Sequence, residues 1–323
     1  MRKIKFLATR LINELRKSIS GSITNLSEPL YTASTHPLPA MSSSTTSLTL
    51  ISSLPNLSVF LSSITPSTTL YLDFEGRDLS RNGTLTIITA LVYPTNATSL
   101  IDIQTLGASA FTTSSVTGKT FKAILEDPLI PKCFWDVRND ADALWSHYHV
   151  RLAGVTDIQL LENASRKDDK TYLHGLATCI RRDVQVRNMV KRHWANTKKE
   201  VTALMDNDVF SCRPLDDKMM QYCANDVVHL PALRETYSKR LNSQWTRMVK
   251  DESARRVADA CSPAYEPQSD TKKFGPWGPA RDKKRAKKLN VYDNDMEYDM
   301  YDSDNDFISY NNYDDEDDDD DYY

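Results

Sequence analysis

Hydrophobic and polar positions change period several times along this chain, and each change marks a segment. Over residues 1–19, Ile4, Leu7, Leu11, Ile12, Leu15 and Ile19 fall on one helical face among Arg2, Lys3, Lys5, Arg10, Arg16 and Lys17. Residues 20–48 are rich in Ser, Thr and Pro without a regular apolar period, the composition of a linker. Order is expected from about Leu50, with a short helix marked by Leu54, Leu57, Phe60 and Leu61 and then a strand over 69–75. After a turn at Arg81-Asn82-Gly83, the β-branched run Leu85–Tyr93 predicts a second strand and Leu100–Ile103 a third. Phe121, Ile124 and Leu125 fit a helix that ends before Pro128. Lys132–Asp136 reads as a short buried strand, Asp140–Tyr148 as a helix and Val155–Ile158 as the last strand. From about 171 to 250 the pattern is helical throughout, and after 250 the core-forming period is lost. Strands that alternate with helices and close on a helical end predict an α/β domain over 49–250, between an arm (1–48) and a tail (251–323).

Charge changes this picture at the ends. The formal net charge is −4, but residues 291–323 carry 15 acidic side chains and neither Lys nor Arg. The rest of the chain holds 40 basic groups against 29 acidic ones, a formal +11 that suits a polyanionic partner such as nucleic acid. The Asp/Tyr-rich end reads as a disordered, solubilising tail, because its like charges repel and it can bury little. Residues 281–288, RDKKRAKK, read as a nuclear localisation signal or a nucleic-acid contact. The basic, acid-poor start reads as a mitochondrial presequence or as a surface arm. Nuclear, cytoplasmic and mitochondrial locations therefore stay open. The five cysteines are widely spaced with no CxxC pair, so neither a disulfide framework nor a common zinc pattern is expected, and a reducing compartment fits. No apolar run approaches the ~20 residues that span a bilayer, so a soluble chain with no membrane partner is expected.

Candidate chemistry lies in acidic positions far apart in the chain. Asp73 and Glu75 follow Leu70-Tyr71-Leu72 at a spacing of two, which on a strand sets both on one face. Two such carboxylates repel unless a cation lies between them, and hard divalent ions such as Mg²⁺ take carboxylate oxygens. Asp140 opens a predicted helix, while Tyr222 and Asp226 stand at i and i+4 of another and project from one face. Phosphodiester hydrolysis needs an activated water and a stabilised leaving oxygen, which two metals ~3.5–4 Å apart can supply. That demands carboxylates from separate elements. No GxSxG, Walker A or GxGxxG pattern is present, which removes the common serine hydrolase, P-loop and Rossmann readings.

These motifs resemble the DEDDy branch of 3′–5′ exonucleases, which includes ribonuclease D and the fungal 3′–5′ exonuclease domain proteins. The likeness runs over roughly residues 50–250 and rests on three stretches. They are Leu72-Asp73-Phe74-Glu75-Gly76, Lys132 through Leu144, and Arg213-Pro214-Leu215 followed by Gln221 through Leu230. The resemblance implies a ribonuclease H-like fold, a mixed central sheet flanked by helices, with the first motif on a central strand. It implies that Asp73, Glu75, Asp140 and Asp226 hold two Mg²⁺ or Mn²⁺ ions, with Asp73 bridging both. In the same pattern Tyr222 orients or helps to activate the attacking water. The implied substrate is the 3′ end of single-stranded nucleic acid, with RNA and DNA both open and the direction resting on the resemblance alone.

The second stretch leaves a register question, since Asp136, Asp140 and Asp142 crowd together. The family's K-x-x-x-D-x-R-x-D pattern selects Asp140, with Asp136 next. Asp157 is read as structural support that caps the following helix. Basic residues between 165 and 200, Lys198 among them, surround Trp194 and depart from the family; they can follow a phosphate backbone or form a solvated face. A rival to the enzyme is a catalytically inactive nucleic-acid-binding scaffold on the same domain. Such members usually lose one or more of the carboxylates that this chain retains.

Overall fold

The computed structural model describes residues 48–202 and 208–278. The readings of the N-terminal arm, the 281–288 cluster and the acidic end lie outside the described residues. Strand β1 (Leu48–Ile51) leads through α1 (Leu54–Ser63) to β2 (Thr69–Glu75). Pro55 sits in the first turn of α1, where its missing N–H leaves no bond unmade. Next come β3 (Ile87–Tyr93) and β4 (Ala97–Asp102), the one-turn helices α2 (Ile103–Leu106) and α3 (Ser109–Thr112), and α4 (Phe121–Glu126). The alternating segment β5 (Lys132–Phe134), α5 (Arg138–Tyr148), β6 (Val155–Asp157) and α6 (Ile158–Ser165) follows. The helical end comprises α7 (Leu176–Asp183), α8 (Asn188–Thr202), α9 (Asp217–Val228), α10 (Leu230–Ser238) and α11 (Ser243–Ala260). Among the described residues no helix is long and apolar enough to cross a membrane.

The strands form one mixed sheet in the order β1-β4-β3-β2-β5-β6, in which β3 alone runs against the others. The C-terminal ends of β2, β4, β5 and β6 therefore share one end of the sheet. β2 lies inside, between β3 and β5, and both its faces are covered. Leu70, Leu72 and Phe74 join the core packed by α1, α4 and α5, while Tyr71 faces the core packed by α6 and α10. Asp73 and Glu75 share the parity of Tyr71 and so point to that second face.

The α/β class and the interior position of the first-motif strand match the sequence reading. The differences concern edges. β1 is a strand that the sequence reading missed; its four residues show little alternation, and only Ile51 is buried. The second strand begins at Ile87 rather than Leu85, the third at Ala97 rather than Leu100, and the fourth stops at Phe134 rather than Asp136. The largest difference is α11, which crosses the boundary drawn at 250 and packs against β6, α5 and α6. Its buried face is Val249, Glu252, Ser253, Arg256, Val257 and Ala260, half of it polar, so hydropathy alone shows no period there. Those polar groups are matched: the Ser253 hydroxyl accepts from the Asp157 amide, and Arg256 donates to the Asp157 carboxylate.

Candidate active site

The carboxylates gather at the C-terminal end of the sheet. On β2, Asp73 and Glu75 are half-buried. The turn after them needs glycine, because a Cβ at Gly76 would lie 2.1 Å from the Thr84 carbonyl oxygen. Opposite stands α9, whose buried stripe runs Met219, Tyr222, Cys223, Asp226, Val227 at helical spacing. Asp226 therefore arrives among apolar neighbours with the rest of the stripe. The loop before α9 is tied to the sheet by Arg213 of the third motif, whose guanidinium donates to both oxygens of Asp102 at 2.7 and 2.8 Å.

Asp73, Glu75 and Asp226 each offer a carboxylate oxygen, and the three oxygens lie within 4.8 Å of one another. The buried Cys223 thiol beside them ionises far less readily than usual, first through burial and then through the charges of Glu75, Asp73 and Asp226. Burial also raises the pKa of Asp226, against which the Lys198 ammonium and a hydrogen bond from Tyr222 act. Asp140, in the first turn of α5, is buried, and burial followed by the Asp73 charge holds its pKa well above the usual carboxylate range. The fourth acid thus lies within electrostatic reach of the first.

The other two second-motif aspartates are engaged elsewhere. Asp136, at φ +60°, receives both the Nε and NH2 groups of Arg138 at 2.5 Å, and Arg256 lies 3.4 Å away. Despite burial, these arginines keep its carboxyl well below the usual range. Asp142 is fully buried and accepts from the Arg81 main-chain amide and Nε, each at 2.7 Å. Of the three, Asp140 is the one set against Asp73. Asp157 caps α6 by accepting from the Gln159 amide, and it also accepts from the amides of Asp136 and Val137. It supports the second-motif loop from behind.

Sequence reasoning left Lys198 undecided. Trp194 donates its indole N–H to the Asn225 carbonyl and so fixes α8 on α9. One turn on, the Lys198 ammonium lies 3.4 Å from Asp226 Oδ1 and 5.6 Å from the centre of the Tyr222 ring. Only the run of basic residues around Trp194 hinted at it. A second set of potential ligands, Glu162, His174 and Cys179, comes together although the sequence shows no histidine spacing for a metal. Arg166 and Arg182 already pair with Glu162, and burial pushes the Cys179 thiol up to about 12, so this set reads as an ion-paired knot.

A hard divalent ion fits the first set. All the donors are carboxylate oxygens, their mutual spacing suits one ion with bonds of about 2.0–2.6 Å, and a bound cation would relieve the repulsion among three acids set this close.

A sequence model of a 3′–5′ exonuclease domain matches residues 48–242, more than half of the chain. The chain belongs to this family. Among solved structures, the exonuclease domain is similar to Trypanosoma brucei RNase D in complex with GMP, at 21% identity and a TM-score of 0.56, covering 67% of this chain and 65% of that one. The same enzyme in complex with RNA U12 gives 22% identity and a TM-score of 0.55 over 67% of this chain and 71% of that one. The catalytic core of Trypanosoma brucei RRP6 gives 18% and 0.51 over 66% of this chain and 52% of that one. These likenesses are of fold, and the exonuclease domain has an RNase D-like fold. No curated protein sequence matches significantly.

Proposed function

We propose that the chain hydrolyses single-stranded nucleic acid from its 3′ end, with Asp73, Glu75, Asp140 and Asp226 holding two Mg²⁺ or Mn²⁺ ions. The observation that supports this most is the meeting of Asp73, Glu75 and Asp226 oxygens within 4.8 Å, with Asp140 electrostatically coupled to Asp73. Bound divalent ions supply a lowered water pKa and charge to stabilise the departing 3′ oxygen.

The chain's own residues do the rest. Asp73 and Glu75 give a fixed pair of acceptors on an interior strand that cannot drift. Asp226 adds an oxygen from the opposite side, where the Lys198 ammonium and the Tyr222 hydrogen bond oppose the burial that raises its pKa. In this reading the Tyr222 hydroxyl, one turn before Asp226 and hydrogen-bonded to it, holds and orients the attacking water. Lys198 is a donor for a phosphate oxygen that reaches the Asp226 edge.

RNA is the first substrate to offer, because the similar RNase D was captured with RNA and with GMP. The test uses the full chain and 5′-labelled single-stranded RNA and DNA of one sequence. A ladder shortening from the 3′ end in Mn²⁺, absent in EDTA and in Asp73→Ala, is expected. Retention of the strand without shortening would favour the scaffold instead, and full activity in Asp73→Ala would overturn the assignment.

A further inference from the structure

The family match ends at residue 242, yet the chain continues as α11 and then as a strap, residues 261–278, with one 3-10 turn at Asp270–Lys273. The strap crosses the first turn of α5. The Tyr265 hydroxyl donates to Asn139 Oδ1 at 2.8 Å, and the Lys272 ammonium donates to the same oxygen at 2.7 Å. The main-chain carbonyl of Lys272 accepts from Arg138 at 3.0 Å. Arg138 and Asn139 are the two residues that precede Asp140.

The strap is itself held at both ends. Arg81 donates to the carbonyls of Ala260 and Ser262 at its start. At its end the Leu173 amide donates to Lys273 O, and the Gly275 amide to Thr171 O. Gly275 sits so close that a Cβ there would lie 2.2 Å from the Lys170 carbonyl oxygen. Lys272 is therefore fixed on a clamped segment, with its Nζ also bonded to Pro267 O at 3.1 Å.

The first turn of α5 needs this grip. Its N-cap, Val137, supplies no side-chain cap. Asp157 takes the amides of Asp136 and Val137, which leaves the orientation of the next two residues to their side chains. Both of those side chains are gripped by the strap. The charge of Lys272 also reaches Asp140 and Asp136.

We propose that Lys272, together with Tyr265, is a positioning residue: by holding Asn139 and Arg138 from outside the family-matched stretch, the strap directs Asp140 toward Asp73 and tightens divalent-ion binding. This rests on the reading of Asp140 as an ion ligand. A positioning role and a competing-cation role predict opposite signs. Loss of a positioning group weakens ion binding, whereas loss of a competing ammonium strengthens it.

The test follows Mn²⁺ binding to the full chain by the EPR signal of the free ion, with hydrolysis of 5′-labelled RNA in parallel. Lys272→Met keeps most of the side-chain volume and removes the ammonium. It should weaken Mn²⁺ binding about tenfold, the scale on which groups behind a metal ligand act, and lower kcat while KM for RNA stays unchanged. Tyr265→Phe removes one hydroxyl and should move both quantities the same way by about threefold; it decides the matter if Lys272→Met does not fold. Tighter Mn²⁺ binding in Lys272→Met, or unchanged binding in both variants, overturns the proposal alone. A parent chain that binds no Mn²⁺, or an Asp140→Ala variant that binds it as well as the parent, brings down the underlying reading too.

Discussion

Replacing Asp140 by Asn should make the metal-free protein more stable and blunt its response to metal. Asp140 is 7% exposed, and burial, then the charge of Asp73, hold its pKa well above the usual range, with Lys272 offsetting part of the effect. The folded state therefore binds this proton more tightly than the unfolded chain does. Stability present below the unfolded pKa is lost as pH rises through the folded pKa, so the parent is penalised at the alkaline end. Asparagine has nearly the same shape and no charge. Relief of an uncompensated buried charge is worth about 1–3 kcal/mol, and a domain of this size converts each kcal/mol into about 2–4 °C of Tm. In EDTA the variant should melt roughly 2–12 °C above the parent, and its advantage should grow as pH rises above the ordinary carboxylate range toward the raised folded-state pKa. Saturating Mg²⁺ reverses the balance. At a hundred times Kd a site-bound ion stabilises the parent by about 2.7 kcal/mol, while a variant with a neutral ligand gains less. Thermal unfolding of both proteins in EDTA and in Mg²⁺ measures all of this. A lower Tm for the variant in EDTA at high pH, or equal Mg²⁺ shifts in the two proteins, would refute the reasoning.

Two further outcomes are expected. Lys198→Met removes the charge that opposes the burial-raised pKa of Asp226, so that pKa should climb further and the acid limb of kcat/KM should move to higher pH; a pH–rate profile at fixed Mn²⁺ reads this, and an unmoved limb counts against it. Arg256→Met leaves the fully buried Asp157 carboxylate without its cation and should cost about 3–5 kcal/mol in urea unfolding. The amides of Asp136, Val137 and Gln159 still serve that carboxylate and favour the lower end. A loss below about 1 kcal/mol would mean that the amides alone suffice.

Legibility followed burial chemistry. The strand bearing Asp73 was readable because an apolar run leads into it, and the helix bearing Asp226 because its buried stripe keeps a helical period apart from one acid. Asp140 and Asp136 could not be told apart from composition; Arg138 and Arg256 separate them, and Arg256 comes from a helix far along the chain. That helix was truncated in the sequence reading because Ser253 and Arg256 occupy its inner face. Lys198, hinted at only by the basic run around Trp194, and Lys272, with no hint at all, escaped as site neighbours for a different reason. A lysine beside a carboxylate leaves no periodic trace, and its meaning depends on tertiary distance alone.

The order of strands has a consequence for synthesis. β2 can pair with β3 as soon as both have left the ribosome, since they are joined by a local connection. α9 emerges much later, and the strap that grips α5 later still. A nascent chain thus displays Asp73 and Glu75 long before Asp226 can join them, and domains assemble from the N-terminal side during translation. A half-made chain therefore cannot gather Asp73, Glu75 and Asp226 at one place until the last helices dock.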